Sequence, residues 1–297
     1  MSKLTVLHLR DGMKTDITEI VSQVAWQGSG DQLSRRLDIT TVNSLSISPG
    51  DWLVLQDEAG ELFRGIVFTT FRTTEDTITP YAFDPLIYLD KSKDDYKFER
   101  TTDKKVIETL CSRFNIPVGS IEGSKTIKKL LLREKGLAEI IKELDTEYNL
   151  FLREGKLYRE KKGKQVLQWV LDGNLIIKAT AKESIEEMKN SVKVIEGGKI
   201  TVIKDDTLIK KYGLLQEVIE AEPGQGVTTA KDMLKELGRV FKEMDIECIG
   251  FNECITGTYV EIEEKKTGLT GLFEITSDTH NYEGAVHRMT LTLKEVS

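Results

Sequence analysis

From Leu4 to about Leu89 the chain is a succession of short β-forming runs cut by turn residues: LTVLHL, an Arg-Asp-Gly turn, DITEIVSQVAW, RRLDITTV, DWLVLQD and ELFRGIVFTTFR. Runs this short and this closely spaced, rich in β-branched and aromatic residues, predict an antiparallel β domain. Asp57 to Gly60, DEAG, falls between two of the runs and reads as a hairpin loop in which Gly60 is free to take a positive φ. In the next run Leu62, Ile66 and Phe68 have one parity and Phe63, Val67 and Phe71 the other. Both faces of that strand are apolar, so it is expected to be buried on two sides, in a barrel wall or in a contact between subunits.

The pattern changes at TTDKKVIETLCSRFNIP. Val106, Ile107, Leu110, Cys111 and Phe114 share one helical face, Thr102 can cap the start, and Pro117 lies just past the end. A second helix is predicted from about Gly136 to Tyr148, with Leu137, Ile140, Ile141, Leu144 and Tyr148 on one side. It leads into NLFLREGKLYRE, whose Glu-Gly centre suits a tight hairpin. After WVLDGN and the polar stretch KESIEEMKN, strands return at SVKVIEGGKITVIKD. A further, mostly β domain begins near Lys182. It is interrupted by one helix near 229–244, whose apolar stripe is Met233, Leu234, Leu237, Val240, Phe241 and Met244, and it ends in GTYVEIEE, GLFEITSD and AVHRMTLTLKEV. The expected organisation is a β domain over 1–98, a small helical α/β domain over 99–181, and a second β domain over 182–297. That division is reasonable for 297 residues, since domains commonly run roughly 100 to 200.

Charge excludes some partners. A net charge of -7 gives no overall attraction to nucleic acid or to an anionic membrane surface. The two short basic runs, Lys125, Lys128 and Lys129 and then Lys161, Lys162 and Lys164, read as solvated surface. No apolar run approaches the roughly 18 residues of a membrane span, and the N-terminus lacks the apolar core of a signal peptide. Synthesis and folding in the cytosol are expected. Three cysteines, Cys111, Cys248 and Cys254, cannot all pair within one chain, which points to free thiols in a reducing compartment.

Chemistry-bearing patterns are sparse. Two of the three histidines fall in GLFEITSDTHNYEGAVHRMTLTL, beside Asp278 and Glu283, where a metal site, a catalytic site and a turn between strands are all conceivable. His287 has the parity of Met289, Leu291 and Leu293 in the last strand, so it belongs to the apolar face. His280 is expected in the connecting turn, with Asp278 and Asn281 as turn formers and Gly284 as the permissive residue. The stretch therefore reads as a β-hairpin. Cys248 and Cys254 lack the close Cys or His pair that would complete a tetrahedral zinc site, and they read as small hydrophobes. There is no G-x-S-x-G elbow and no H-E-x-x-H. The segment Pro223-Gly224-Gln225-Gly226 before a helix looks superficially like an anion cradle. It lacks the Walker lysine and the G-x-G-x-x-G ending, so a loop leading to a cap at Thr228 or Thr229 is expected instead. Trp26, Trp52 and Trp169 are too scattered to form a stacking platform for sugars. No catalytic residue, metal ligand or cofactor site is assigned.

Four stretches in collinear order carry a family resemblance: AWQGSGDQLSRRLDIT; ITPYAFDPLIYLDKSKDDYKFERTT with its helix and NIPVGSI; SIEEMKNSVKV; and GLFEITSDTHNYEGAVHRMTLTL. Together they resemble the baseplate hub proteins of contractile phage tails, specifically the XkdQ-like family of defective prophages and phage-tail-like bacteriocins. Trp26, Gly28, Arg35 or Arg36 and Leu37 match the first motif, and Tyr81, Ala82, Asp84, Tyr88 and Leu89 the second. Gly271, Phe273, Ile275, Asp278, His280, Gly284, His287, Met289 and Leu291 match the last. The resemblance implies two antiparallel, tube-like β-barrels per subunit, over 1–98 and 182–297, with the small α/β segment outside the ring. It also implies a trimer presenting six related domains to a sixfold tail tube, with a spike or tail-tip protein and other baseplate proteins as partners. It makes the histidines structural, and it marks Trp26, Phe68 and His287 as structural or interface candidates in a protein that is not an enzyme. A tail-associated cell-wall binding module or hydrolase is the alternative.

Overall fold

The computed structural model describes residues 4–144, 147–164, 166–221 and 224–296, without the side chains at 132–135, 143, 168 and 169. Pro223 and the Trp169 side chain thus lie outside the described residues. Two compact units emerge: Met1–Ala179 together with Asp245–Val296, and Thr180–Met244.

The N-terminal runs become β1 (Thr5–Arg10), β2 (Met13–Asp16), β3 (Val21–Ser29), β4 (Arg36–Val42), β5 (Trp52–Gln56), β6 (Glu61–Arg72) and β7 (Thr77–Phe83). Their pairings with one another are all antiparallel. Gly60 takes φ +145 in the β5–β6 loop, where the Asp57 carboxylate accepts the Ala59 N–H at 2.8 Å. Alternation along these strands sends Val6, Val24, Trp26, Leu37, Ile39, Leu53, Leu55, Phe63 and Val67 into one core.

The middle segment belongs to the same unit. It runs through α1 (Ile87–Lys91), β8 (Lys93–Thr102), α2 (Asp103–Arg113), β9 (Val118–Ile121), β10 (Thr126–Gly136), α3 (Leu137–Leu144), β11 (Tyr148–Arg153) and β12 (Lys156–Lys161). Thr102 caps α2 by accepting the Lys105 N–H at 3.3 Å. Val106, Ile107, Leu110 and Cys111 are buried against Leu137, Ile140 and Ile141. The α3 helix stops at Leu144, and Tyr148 instead opens β11. Glu154 and Gly155, at φ 49 and 71, make the tight β11–β12 turn.

After β13 (Val166–Asp172) and β14 (Ile176–Ser184), the second unit contains β15 (Ser191–Glu196), β16 (Lys199–Lys204), α4 (Asp206–Tyr212), β17 (Gln216–Glu220) and α5 (Gly226–Leu237). The predicted helix over 229–244 is corrected at both ends. It starts after Gln225, not at a threonine cap, and ends at Gly238, whose N–H closes onto the Leu234 carbonyl. Glycine removes the side chain and raises the entropic cost of continuing. Beyond it the apolar period becomes two: Met244, Ile246 and Cys248 are buried in β18 (Phe241–Ile249).

The chain closes with β19 (Tyr259–Glu264), β20 (Leu269–Glu283) and β21 (Val286–Glu295). The main sheet runs β14-β18-β21-β20-β3-β4-β7-β6-β5-β1-β2, with β13 and β19 branching beside β20. The two ends of the chain therefore share one sheet, through β20 against β3 from Ser277↔Ser29 to Glu283↔Gln23. The chain is mainly β, as expected. Among the described residues the sheet is an open path with β2 and β14 at its ends, not a closed ring. No helix among them is long and apolar enough to cross a membrane.

Candidate assembly surface and the polar seam behind it

The last hairpin corrects the sequence reading of His280. Pairing continues to Glu283↔Val286, so the turn is Gly284-Ala285, with Gly284 at φ 55. Asp278 and His280 lie inside β20 and are 1% and 0% exposed. Two features of the fold override their turn-forming character. β20 is paired on both sides, and a register shift between Ile275 and Ser277 moves the buried parity from Phe273 and Ile275 to Asp278 and His280. His287 does share the face of Met289 and Leu291, but it is only half-buried while they are fully buried.

Buried polar groups need partners, and these have them. Arg35 donates from Nη1 to Asp278 Oδ1 at 2.9 Å and from Nη2 to Oδ2. Thr256 adds its backbone N–H and its hydroxyl to Oδ1, each at 2.6 Å. Burial alone would raise the Asp278 pKa, yet Arg35, His280 and Thr256 hold it below the usual carboxylate range. The guanidinium lies 4.2 Å over the Trp26 ring. Gly28 makes this approach possible, because a Cβ there would meet Arg35 Nη1 at 2.2 Å.

His280 continues the seam, 5.0 Å from the buried Trp26 ring. Its Nε2 lies 3.1 Å from the Cys254 carbonyl and its Nδ1 lies 3.0 Å from His287 Nε2. A carbonyl only accepts, so Nε2 of His280 carries the proton and Nδ1 accepts from His287 Nε2–H. Burial lowers both pKa values to about 4, with the neighbouring His280 adding to the shift at His287. Both rings are therefore neutral at pH 7 with their donors committed. His287 stacks on Tyr282 at 4.0 Å, and the Tyr282 hydroxyl donates to Asn252, which in turn donates to Asp57.

Other polar sites are also internal ties. His8 and Arg10 hold Asp51 at 2.9 and 2.6 Å. Burial would raise the Asp51 pKa, but these two groups and the Ser48 N–H bring it down to about 2. Asp84 accepts the Arg35 and Leu86 N–H groups, each at 3.0 Å. Burial outweighs those two N–H bonds and the Arg35 charge and pushes its pKa up to about 7. Burial likewise pushes the Cys111 and Cys248 thiols up to about 12 and Cys254 higher. Among the described residues no group of three or more His, Cys, Asp or Glu side chains could hold a metal ion.

The outward face of β6 and β7 is different. Phe63 and Val67 enter the core, but Phe68 and Phe71 are 39% and 50% exposed. A single chain thus buries one side of β6 and leaves the end of the other open. Phe68 meets Phe83 edge-on at 5.7 Å and Tyr88 at 6.4 Å, and Phe71 lies 4.9 Å from Tyr81. Arg36 covers Tyr81 at 4.0 Å and is clamped by Asp38 at 2.6 Å. The result is a preordered aromatic strip on rigid strands. In the sequence Tyr81 and Tyr88 are motif positions only; the β6–β7 pairing brings Tyr81 beside Phe71, and α1, just after β7, brings Tyr88 to Phe68.

This fold is that of phage tail proteins. The chain aligns with the 43 kDa tail protein of prophage MuSo2 from Shewanella oneidensis at a TM-score of 0.78 and 14% identity, over 97% of each chain. A component of the E. coli type VI secretion system, described as similar to the T4 tail proteins gp27 and gp5, aligns at a TM-score of 0.64 and 9% identity, over 99% of this chain and 77% of that one. In sequence the chain is 28% identical to XkdQ of the phage-like element PBSX of Bacillus subtilis over 313 residues, 95% of this chain and 94% of the relative. It belongs to the YQBQ-like family, whose model matches residues 24–294.

Proposed function

We propose that this chain is the hub subunit of the baseplate of a contractile tail or tail-like particle, whether phage or bacteriocin. Copies of it, three in number, form a ring joining a sixfold tail tube to a central spike. The observation that carries this reading is alignment over nearly the whole chain, in sequence with a protein of a phage-like element and in fold with a prophage tail protein. A hub needs rigid domains and a large subunit contact, and no chemistry. The residues fit that demand, since the buried His280, Asp278 and Asp84 spend their hydrogen bonds on partners within the chain. We assign no enzymatic activity and no cofactor. In this reading the β regions 1–98 and 182–297 act as the two tube-like barrel elements of each subunit, and the strip around Phe68 lies in the contact between subunits. The partners are the tube protein, the spike or tail-tip protein and other baseplate proteins, with synthesis in the bacterial cytoplasm before assembly.

The exposed aromatic pairs also favour a second reading, a cell-wall binding module, because paired rings are what a sugar stacks on. A single experiment separates the two. Phe68→Asp introduced into an inducible tail-producing strain should leave tubes and spikes unjoined under the electron microscope if the hub reading is right. Intact particles that no longer bind purified cell wall would support the second reading instead.

A further inference from the structure

The second unit has a three-stranded sheet, ordered β16-β15-β17. Antiparallel β16 and parallel β17 flank the central strand. One face is covered by α5, which buries Val192, Val194 and Ala230 together with Ile203, Ile219 and Met233. The other face is open: Ile200, Val202 and Val218 are 57%, 50% and 50% exposed, and Val202 and Val218 flank Lys193 on one rung. Among the described residues β16 and β17 pair only with β15, so both edges of the sheet lack a neighbouring strand.

Unpaired edges bearing apolar residues invite strand addition, and natural proteins often guard them with lysine. Here the two edges carry opposite charge. β16 is KITVIK and β17 is QEVIE, so Lys199 and Lys204 line one edge and Glu217 and Glu220 the other. A protective pattern has no need of opposite signs. Complementary signs on opposite edges of one sheet instead match a head-to-tail contact, in which the surface offered by one copy fits the one presented by the next.

We propose that the β16 edge of one copy pairs with the β17 edge of a second copy of this chain, extending the sheet across the contact and covering part of its open apolar face. The side-chain ties present in the single chain are compatible with this. Lys204 meets Asp206 at 2.8 Å and Glu217 meets Lys189 at 3.4 Å, the first pair exposed and the second partly open to solvent, where exchange of partner costs little. Glu217 also accepts the Val218 N–H at 3.0 Å, a local bond that an incoming strand carbonyl replaces. The inference rests on the reading that copies of this chain associate, and it deepens that reading by locating one contact.

The test uses the full-length chain in sedimentation velocity over a range of concentrations, with circular dichroism to establish that each variant is folded. K199E/K204E and E217K/E220K each place like charges on the two edges, and each should weaken self-association at least tenfold at low salt. The fourfold variant, with both edges reversed, should restore it. Single-edge reversals that associate like the parent would overturn the proposal, as would a fourfold variant no better than the single-edge reversals, or stronger association on neutralising the lysines, which a purely protective edge predicts. A parent chain monomeric at every concentration would also overturn it. Phe68→Asp run alongside keeps the two readings apart: association lost there but untouched by edge reversal leaves the hub contact standing and removes this one.

Discussion

Consecutive arginines, Arg35 and Arg36, do the same thing on opposite sides of the sheet, with different consequences. Each lies over an aromatic ring, Trp26 at 4.2 Å and Tyr81 at 4.0 Å, and each holds an aspartate. Asp278 beneath Arg35 has no exposed side-chain surface, whereas Arg36 and Asp38 are 33% and 18% exposed. The difference shows in the carboxylates. Burial acts against ionisation in both, but at Asp278 it is overcome by Arg35, His280 and Thr256 and the pKa falls. At Asp38 burial prevails over Arg36 and the pKa rises. One region is a finished internal joint between the ends of the chain, and the other is a strip of rings prepared on an open face. The number of partners around each carboxylate, more than its burial, sets the direction of the shift.

The comparison breaks most directly at Asp278. Asp278→Ala leaves the Arg35 charge buried without its partner and should cost about 3–5 kcal/mol in urea unfolding; a loss below about 1 kcal/mol would mean that the seam does not hold the ends together. His280→Ala should follow at about 2–4 kcal/mol, from lost packing and two lost hydrogen bonds. His287→Ala, at a half-buried position, should cost only about 1 kcal/mol. Strand parity alone, with His280 placed in a turn, predicts the reverse order, so the ranking itself decides between them.

Acid should sharpen the contrast. His280 and His287 stay unprotonated in the folded protein down to about 4, while in the unfolded chain they take up protons near 6.5. Stability from these two groups is therefore lost as pH falls through that window. Asp84 acts in the opposite sense: folded it keeps its proton up to about 7, unfolded it releases it near 3.9, so its contribution is lost as pH rises. Two histidines outweigh one aspartate, so stability should fall as pH drops from roughly 6 to 4.5. His287→Gln, which keeps a donor towards His280, should flatten that dependence, and urea unfolding at several pH values would read it. At the far end of the scale, Arg36→Ala should cost less than about 1 kcal/mol, the range of an exposed pair; a loss comparable to that at Asp278 would erase the distinction between the regions.

Much of the framework was legible in the sequence because it depends on local pattern. The N-terminal strands, the Thr102 cap, the Glu154-Gly155 turn and the final hairpin all follow from period, cap and turn chemistry. What escaped depends on contacts distant in sequence. Asp278 and His280 look like turn residues until Arg35, 243 positions away, is brought beside them by the β3–β20 pairing. The same holds for Asp103, whose buried partner Arg159 at 2.7 Å comes from β12. Sequence periodicity extends the inserted helix too far at its C-terminal end, because Val240, Phe241 and Met244 continue its apolar stripe although Gly238 stops it. The openness of the β6 face follows from a shift in the β6–β7 pairing between Val67 and Thr69, which single-strand alternation does not reveal.

In the proposed function, copies of this chain form a ring held partly through the aromatic strip. Sedimentation equilibrium on the purified parent and on Phe68→Asp, with urea unfolding on both, tests it most directly. Because Phe68 is 39% exposed, the variant chain should stay folded and lose in urea unfolding only what association contributed to the parent. The parent should have the mass of three chains and the variant that of one. A parent that stays a stable monomer, or a Phe68→Asp chain that still assembles as three, would contradict the account.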